Sequence, residues 1–365
     1  MTTTRRILCL RTGGTIEGGG EAAGGHVDAE ALTRALDRAC EHIAEAWDIE
    51  VEHRMEKVDD LDSTDVEPEL WTKLAKIIHR AYDDHDAFLV VHGTNTMGYT
   101  AAALSFAIAN SKKPIVITGS QIPIGGPSSD ALANVENAVR VCVYPYQEIG
   151  GVVCLFGSRL ITGTRVKKSS DFDIDAFAAS PTGTLGRLGR FLDVDRGNLA
   201  RHQGYLGGDS GLGISQATLQ VVPDFDLTGV LSLTEFPGLD PDLLRRIVDA
   251  AQAEGPGLRG VVLRAFGAGD VGRRRRPLLE RLRALDVPVV VTTQVPTGTA
   301  TLDVNRPGKE VRDLGLGVAA HDMSIESITT KLGWLIAQGH GSAEIRRLMA
   351  ADLRGEIQAK PNVRW

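Results

Sequence analysis

Hydroxyl and amine side chains follow short apolar runs at three places in this 365-residue chain. In LRTGGTIEGGG, residues 10–20, Thr12 and Thr15 flank two glycines that let the backbone turn sharply and pass close to a ligand. In HGTNTM, residues 92–97, Thr94 and Asn95 follow the run AFLVV. In TRVKKSSDFDIDAF, residues 164–177, Lys167 and Lys168 stand in a polar stretch. A hydroxyl is a weak nucleophile at neutral pH and needs a nearby base to take its proton. Two of these places also have a plainer reading. The first is a tight turn with a capping threonine, and the third is a solvated lysine pair.

Such side chains need elements that hold them. RILCL at 6–10, AFLVVHG at 87–93, PIVITGS at 114–120 and GGVVCLFG at 150–157 read as buried strands. Between them lie helical patterns. AEALTRALDRACEHIAEA at 29–46 puts Leu32, Ala35, Leu36 and Ile43 on one side, and GYTAAALSFAIANS at 98–111 and SDALANVENAVRVCV at 129–143 follow. Strand, loop and helix repeated in this way predict parallel βαβ units, with sites at the carboxyl ends of the strands. From about Asp195 the chain turns glycine-rich and aperiodic, and then the alternation resumes to a closing helix at 324–339, with Ser324 as its N-cap. The expected organisation is a larger N-terminal α/β domain (1–194), a linker or hairpin (195–227) and a smaller C-terminal α/β domain (228–365).

Composition removes several classes of function. Hydrophobic residues make up 42%, charged residues 24%, and the formal charge is −7, so neither nucleic acid nor anionic membrane is favoured as a partner. Cys9, Cys40, Cys142 and Cys154 lack CxxC spacing and read as buried small hydrophobes. The nine histidines include no HExxH, so neither metal nor cofactor is expected. No run approaches a membrane span or a signal segment, and the expected location is the cytoplasm. GAGDVG at 267–272 fits a dinucleotide fingerprint but lacks the acidic residue at the end of the next strand. GRRRRPLLERL at 272–282 reads as a helix start with a solvated face.

Taken together, the three stretches resemble the bacterial-type asparaginases, and the cytosolic type I branch most closely. TGGTI stands intact at Thr12–Ile16, and HGTDTM is matched by His92–Met97 with Asn95 in place of the aspartate. YTAAALSF at 99–106 is similar to YTASALSF, and TGSQIP stands at 118–123. LDSTDVEPELW at 61–71 resembles IDSSDMTPEDW, and DMSIESITTKL at 322–332 resembles DMTVEATLTKL. The resemblance runs from about Ile7 to about Gln338. It implies a two-domain fold and hydrolysis of a carboxamide through an acyl-enzyme. Thr15 would be the nucleophile, Thr94 would hold the attacking water, and Lys168 would tune both. Gly14 and Thr94 would lend backbone N–H groups to an oxyanion hole. Ser63 and its neighbour Thr64 would bind the substrate, with Ser63 on its α-carboxylate. A site shared between subunits implies a homodimer or homotetramer. A glutaminase subunit of a tRNA-dependent amidotransferase shares the fold, but carries an extra domain ahead of TGGT.

The chain departs from that pattern at three places. Asn95 is neutral where the family meets the substrate's α-ammonium with a carboxylate. The lid stretch 17–29 holds no tyrosine, and His26 is the nearest candidate by position, either as a general base or as a bystander. Asp270 stands where the family has an asparagine borrowed from a neighbouring subunit. An acid has become an amide while an amide has become an acid, which reads as an exchange of charge within one pocket. The expected substrate is then other than free asparagine: an N-substituted or peptidyl carboxamide, a cyclic imide, or a pathway intermediate. The alternative is an impaired homologue that binds a ligand or partner.

Overall fold

The computed structural model describes residues 3–18, 29–144, 149–180, 182–206, 218–253 and 255–358. The chain divides into two compact units, Met1–Pro223 and Asp224–Trp365. The strands of the first unit are β1 (Thr4–Arg11), β2 (Glu50–Lys57), β3 (Ala87–Val91), β4 (Ile108–Ala109), β5 (Pro114–Thr118) and β6 (Gly151–Phe156). They continue with β7 (Arg159–Thr162), β8 (Val166–Lys168), β9 (Phe177–Ala179), β10 (Thr184–Leu188), β11 (Leu192–Val194) and β12 (Gln220–Val221). Its helices are α1 (Ala29–Trp47), α2 (Pro68–Arg80), α3 (Met97–Ala107), α4 (Ala131–Cys142) and α5 (Arg196–Gly204).

The main sheet of this unit has the order β11-β10-β7-β6-β5-β3-β1-β2. From β2 to β6 the neighbours run parallel. Strands β3, β5 and β6 are buried throughout, because helices cover both faces of such a sheet. Helix α1 buries Leu32, Ala35, Leu36 and Ile43, the side its periodicity predicts. The four cysteines are free and buried. Burial pushes the Cys9, Cys40 and Cys154 thiols up to about 12, so they stay protonated and inert.

Three local readings differ from the structure. Beyond β6 the sheet turns antiparallel through β7, β10 and β11, since Gly157 and Ser158 leave no length for a crossover. Helix α3 stops at Ala107; Ile108 and Ala109 pair with β12 instead, and Asn110 takes a left-handed φ of 61°. The stretch read as a linker from 195 begins with helix α5, capped by Asp195, which accepts from Asn198 N at 2.9 Å. Only Leu199 and His202 of that helix are buried, too few apolar positions to show a period.

The second unit carries β13 (Val230–Thr234), β14 (Gly260–Ala265), β15 (Val289–Thr293) and β16 (Val318–Ala319), all parallel and in that order. Its helices are α6 (Pro241–Ala253), α7 (Arg276–Ala284), α8 (Arg306–Asp313), α9 (Ile325–Ala337) and α10 (Ser342–Met349). Ser324 caps α9, accepting from Ser327 N at 3.2 Å. Of the four arginines at 273–276, Arg275 is buried against Glu235 at 3.3 Å, so that part of the run is not a solvated face.

Candidate active site

Register brings the three motifs together. Arg11 pairs with Lys57 and Val91, and Val91 with Thr118, so β1, β2, β3 and β5 end in line. The loops leaving these ends are TGGTI, the segment before Ser63, HGTNTM and TGSQIP. Backbone bonds hold them: Leu61 N to Thr12 O at 3.0 Å, His92 N to Thr118 O at 2.9 Å, and Ile124 N to Ile16 O at 3.1 Å.

One close approach is glycine on glycine. A Cβ added to Gly14 would lie 2.4 Å from the Gly93 Cα, and one added to Gly93 would lie 2.6 Å from Ser63 Oγ. Gly14 has a φ of 93°, which strains any other residue. Gly14, Gly93 and Ser63, from three distant stretches, are therefore in van der Waals contact. Thr15 follows Gly14 and opens a single 3₁₀ turn, Thr15–Glu17. No described residue hydrogen-bonds its hydroxyl. Thr12 differs: it is buried and its hydroxyl donates to Val91 O at 3.1 Å, so it ties the loop to β3.

Lys168, at the end of β8, donates to Thr94 Oγ1 at 2.8 Å and to Asn95 Oδ1 at 3.1 Å. An ammonium only donates, so the amide must present its oxygen to it. Burial lowers the Lys168 pKa, and the nearby charge of Asp171 works against that shift. The backbone N of Asn95 donates to Ser63 Oγ at 3.2 Å, and Thr96 Oγ1 donates to Ser63 O at 2.6 Å. Ser63 Oγ keeps its own proton to donate. Thr64 is exposed, and its N and hydroxyl both donate to Asp62 Oδ1 at 2.8 Å, the capping turn that a Ser-Thr-Asp run also fits.

Behind Gly93 sits a directional relay. Trp71 Nε1 donates to Thr100 Oγ1 at 3.1 Å, Thr100 Oγ1 bonds His92 Nε2 at 2.9 Å, and His92 Nδ1 bonds Gly93 O at 2.7 Å. The carbonyl can only accept, so His92 carries its proton on Nδ1 and takes the Thr100 proton on Nε2. Burial pushes this imidazole down to about 4 and keeps it neutral.

Two candidate residues remain. His26 falls outside the described residues. Asp270 belongs to the second unit, where it accepts from Asn305 Nδ2 at 2.7 Å and Gly308 N at 3.3 Å at the start of α8. This turn, with Gly267 and Gly269 at positive φ, accounts for the first two glycines of GAGDVG. Sequence reasoning missed the ion pair between Arg11 and Glu17, for which the signal was a charged residue on each side of TGGTI. Among the described residues no cluster of His, Cys, Asp and Glu could hold a metal ion, and no helix is long and apolar enough to cross a membrane.

A family model described as "Asparaginase, N-terminal" matches residues 6–198, and one described as "Glutaminase/Asparaginase C-terminal domain" matches 229–349. L-asparaginase of Thermococcus kodakarensis is 32% identical over 81% of this chain and 84% of its own length. L-asparaginase 1 of Escherichia coli is 33% identical over 81% of this chain and 82% of its own. The solved structure of the thermostable L-asparaginase from Thermococcus kodakarensis matches with a TM-score of 0.81 and 28% identity, covering 97% of this chain and all of that one.

Proposed function

The chain belongs to the asparaginase family of amidohydrolases, and from that premise we propose that it hydrolyses a carboxamide through Thr15. The observation that carries the reading is the Lys168–Thr94 hydrogen bond, set beside a Gly14–Gly93 contact that brings the TGGTI turn to the same loop. In this reading Thr15 attacks the carboxamide carbon, ammonia leaves, and water held by Thr94 releases the acid. Lys168, its pKa lowered by burial, takes and returns protons through Thr94. N–H groups of Gly14 and Thr94 stabilise the oxyanion. Ser63 donates its remaining proton to a carboxylate of the substrate, with Thr64 beside it. His26 serves as the second base.

Specificity is the divergent part. Asn95 cannot supply the charge-assisted hydrogen bond that an aspartate gives an ammonium, typically worth about 1.5–3 kcal/mol. Asp270, supplied by a second copy in a homodimer or homotetramer, returns the negative charge at a shifted place. The substrate is a small or peptidyl carboxamide, or a related imide, in the cytoplasm, and free asparagine is turned over slowly. Ammonia release from a panel of carboxamides, compared between wild type and Thr15→Ala, tests this. A panel that wild type leaves untouched would instead mark a ligand-binding homologue.

A further inference from the structure

The turn that carries Thr15 is closed by an ion pair that the chemistry above does not use. Glu17 is buried, 1% exposed, and its two oxygens receive Arg11 Nε at 3.0 Å and Nη2 at 2.8 Å. Arg11 is the last residue of β1, locked into the sheet by its pairing with β2 and β3 and by Val58 N, which donates to its carbonyl at 2.9 Å. Glu17 is the last residue of the 3₁₀ turn. The fork therefore ties the two ends of the stretch that holds Gly13, Gly14 and Thr15.

Ahead of the turn Thr12 is tied to Val91 and Gly14 meets Gly93, but neither contact grips the far end of the Thr15–Glu17 turn. A single 3₁₀ turn is a weak element by itself. Its N-cap is Gly14, which has no side chain to cap with. Within the turn, Glu17 N donates to Gly14 O at 3.1 Å and Gly18 N to Thr15 O at 3.0 Å. Ile16 is buried, and its carbonyl accepts from Ile124 N. These contacts place the turn against its neighbours, while a two-point fork also fixes its rotation. A buried ion pair adds little stability over an apolar pair of similar size, so stability alone gives a poor account of it.

We propose that Arg11 and Glu17 are positioning residues: their fork fixes the rotation of the Thr15 turn, and so sets where the Thr15 hydroxyl stands against Thr94 and Lys168. The inference rests on the reading of Thr15 as nucleophile and deepens it.

Three variants test it. Glu17→Gln keeps the shape and loses the charge. Arg11→Lys keeps the charge and loses the fork. Arg11→Met with Glu17→Met removes both charges together and leaves no buried ion unpaired. With the best carboxamide of the panel, kcat is expected to fall by about tenfold or more in each, while KM moves by less than about threefold. Amide hydrogen exchange at Glu17 and Gly18 is expected to quicken. The double variant is expected to melt close to wild type, which separates loss of position from loss of fold.

Wild-type kcat in a folded double variant, or in Arg11→Lys, overturns the proposal. So does a loss of rate no larger than the loss of folded protein. If the double variant does not fold, Arg11→Lys and Glu17→Gln decide by the same criteria. If wild type releases no ammonia from any carboxamide, the proposed activity is what has failed. Exchange at the Glu17 and Gly18 amides then decides the fork's role: quicker exchange in Arg11→Lys upholds it, and unchanged exchange overturns it.

Discussion

Lys168 donates to the side-chain oxygen of Asn95 at 3.1 Å, so the residue that breaks the family motif still contacts the lysine. What it lacks is charge. A carboxylate there would favour the ammonium, whereas the amide leaves burial free to lower the Lys168 pKa. Asn95→Asp is expected to raise that pKa and move the rising limb of the kcat/KM profile to higher pH. An unmoved limb would detach Lys168 from the rate.

Asn95→Asp alone is expected to help asparagine turnover little if, as proposed, Asp270 of a second copy supplies the pocket's negative charge, because two carboxylates in one site resist joint ionisation. Combined with Asp270→Asn it should recover more than the two single changes predict, by a coupling of about 1 kcal/mol or more in a double-mutant cycle. Asp270 also holds Asn305 and Gly308 at the start of α8. That role alone predicts a lower melting temperature for Asp270→Asn and no coupling, and this outcome would remove Asp270 from the pocket.

The two threonines of TGGTI should separate cleanly. Thr15→Ala is expected to abolish ammonia release while the protein melts as wild type, and adding Lys168→Met should make it little worse. Thr12→Val removes a buried hydrogen bond to Val91. It is expected to cost about 1 kcal/mol of stability and to leave measurable turnover. Full activity in Thr15→Ala would move the nucleophile elsewhere.

Gly14→Ala meets both a φ of 93° and the Gly93 backbone at 2.4 Å. It is expected to be inactive and destabilised by about 1–3 kcal/mol. Gly125→Ala, with no heavy atom within 4 Å of the added carbon, is the control and should match wild type in both melting and rate. Equal behaviour of the two variants would mean that the loops need not touch.

His92 makes stability depend on pH. Its folded pKa is about 4 against an ordinary 6.5, so the unfolded chain binds the proton first as pH falls. Its contribution is complete above about 6.5, shrinks as pH falls towards 4, and then levels off, a total of roughly 3 kcal/mol. Burial lowers the His202 pKa as well, and the two slopes add. Urea titrations from pH 7 to 4 should show a shallower decline in His92→Gln than in wild type. Parallel declines would rule out this origin.

Much of the candidate site was legible as a set of stretches because its signals are local. A glycine pair before a threonine, an apolar run ending at HGT and a lysine beside a polar loop can be read in a few residues each. The same holds for the buried face of α1 and the Ser324 cap. Helix α5 was not legible, since it buries only Leu199 and His202. The burial of Arg275 was hidden because its partner Glu235 lies in another loop.

Sequence alone determined the family, the two α/β units and the residue types available for chemistry, because periodicity and turn residues act over short spans. Tertiary structure alone decided which of those residues meet. Lys168 reaches Thr94 across 74 positions. Gly14 lies against Gly93 because β1 and β3 end in register. Arg11 grips Glu17 because the glycine turn folds the chain back on itself. Such contacts depend on strand order and register, which the burial of whole sheet faces selects, and no single stretch of sequence carries that information.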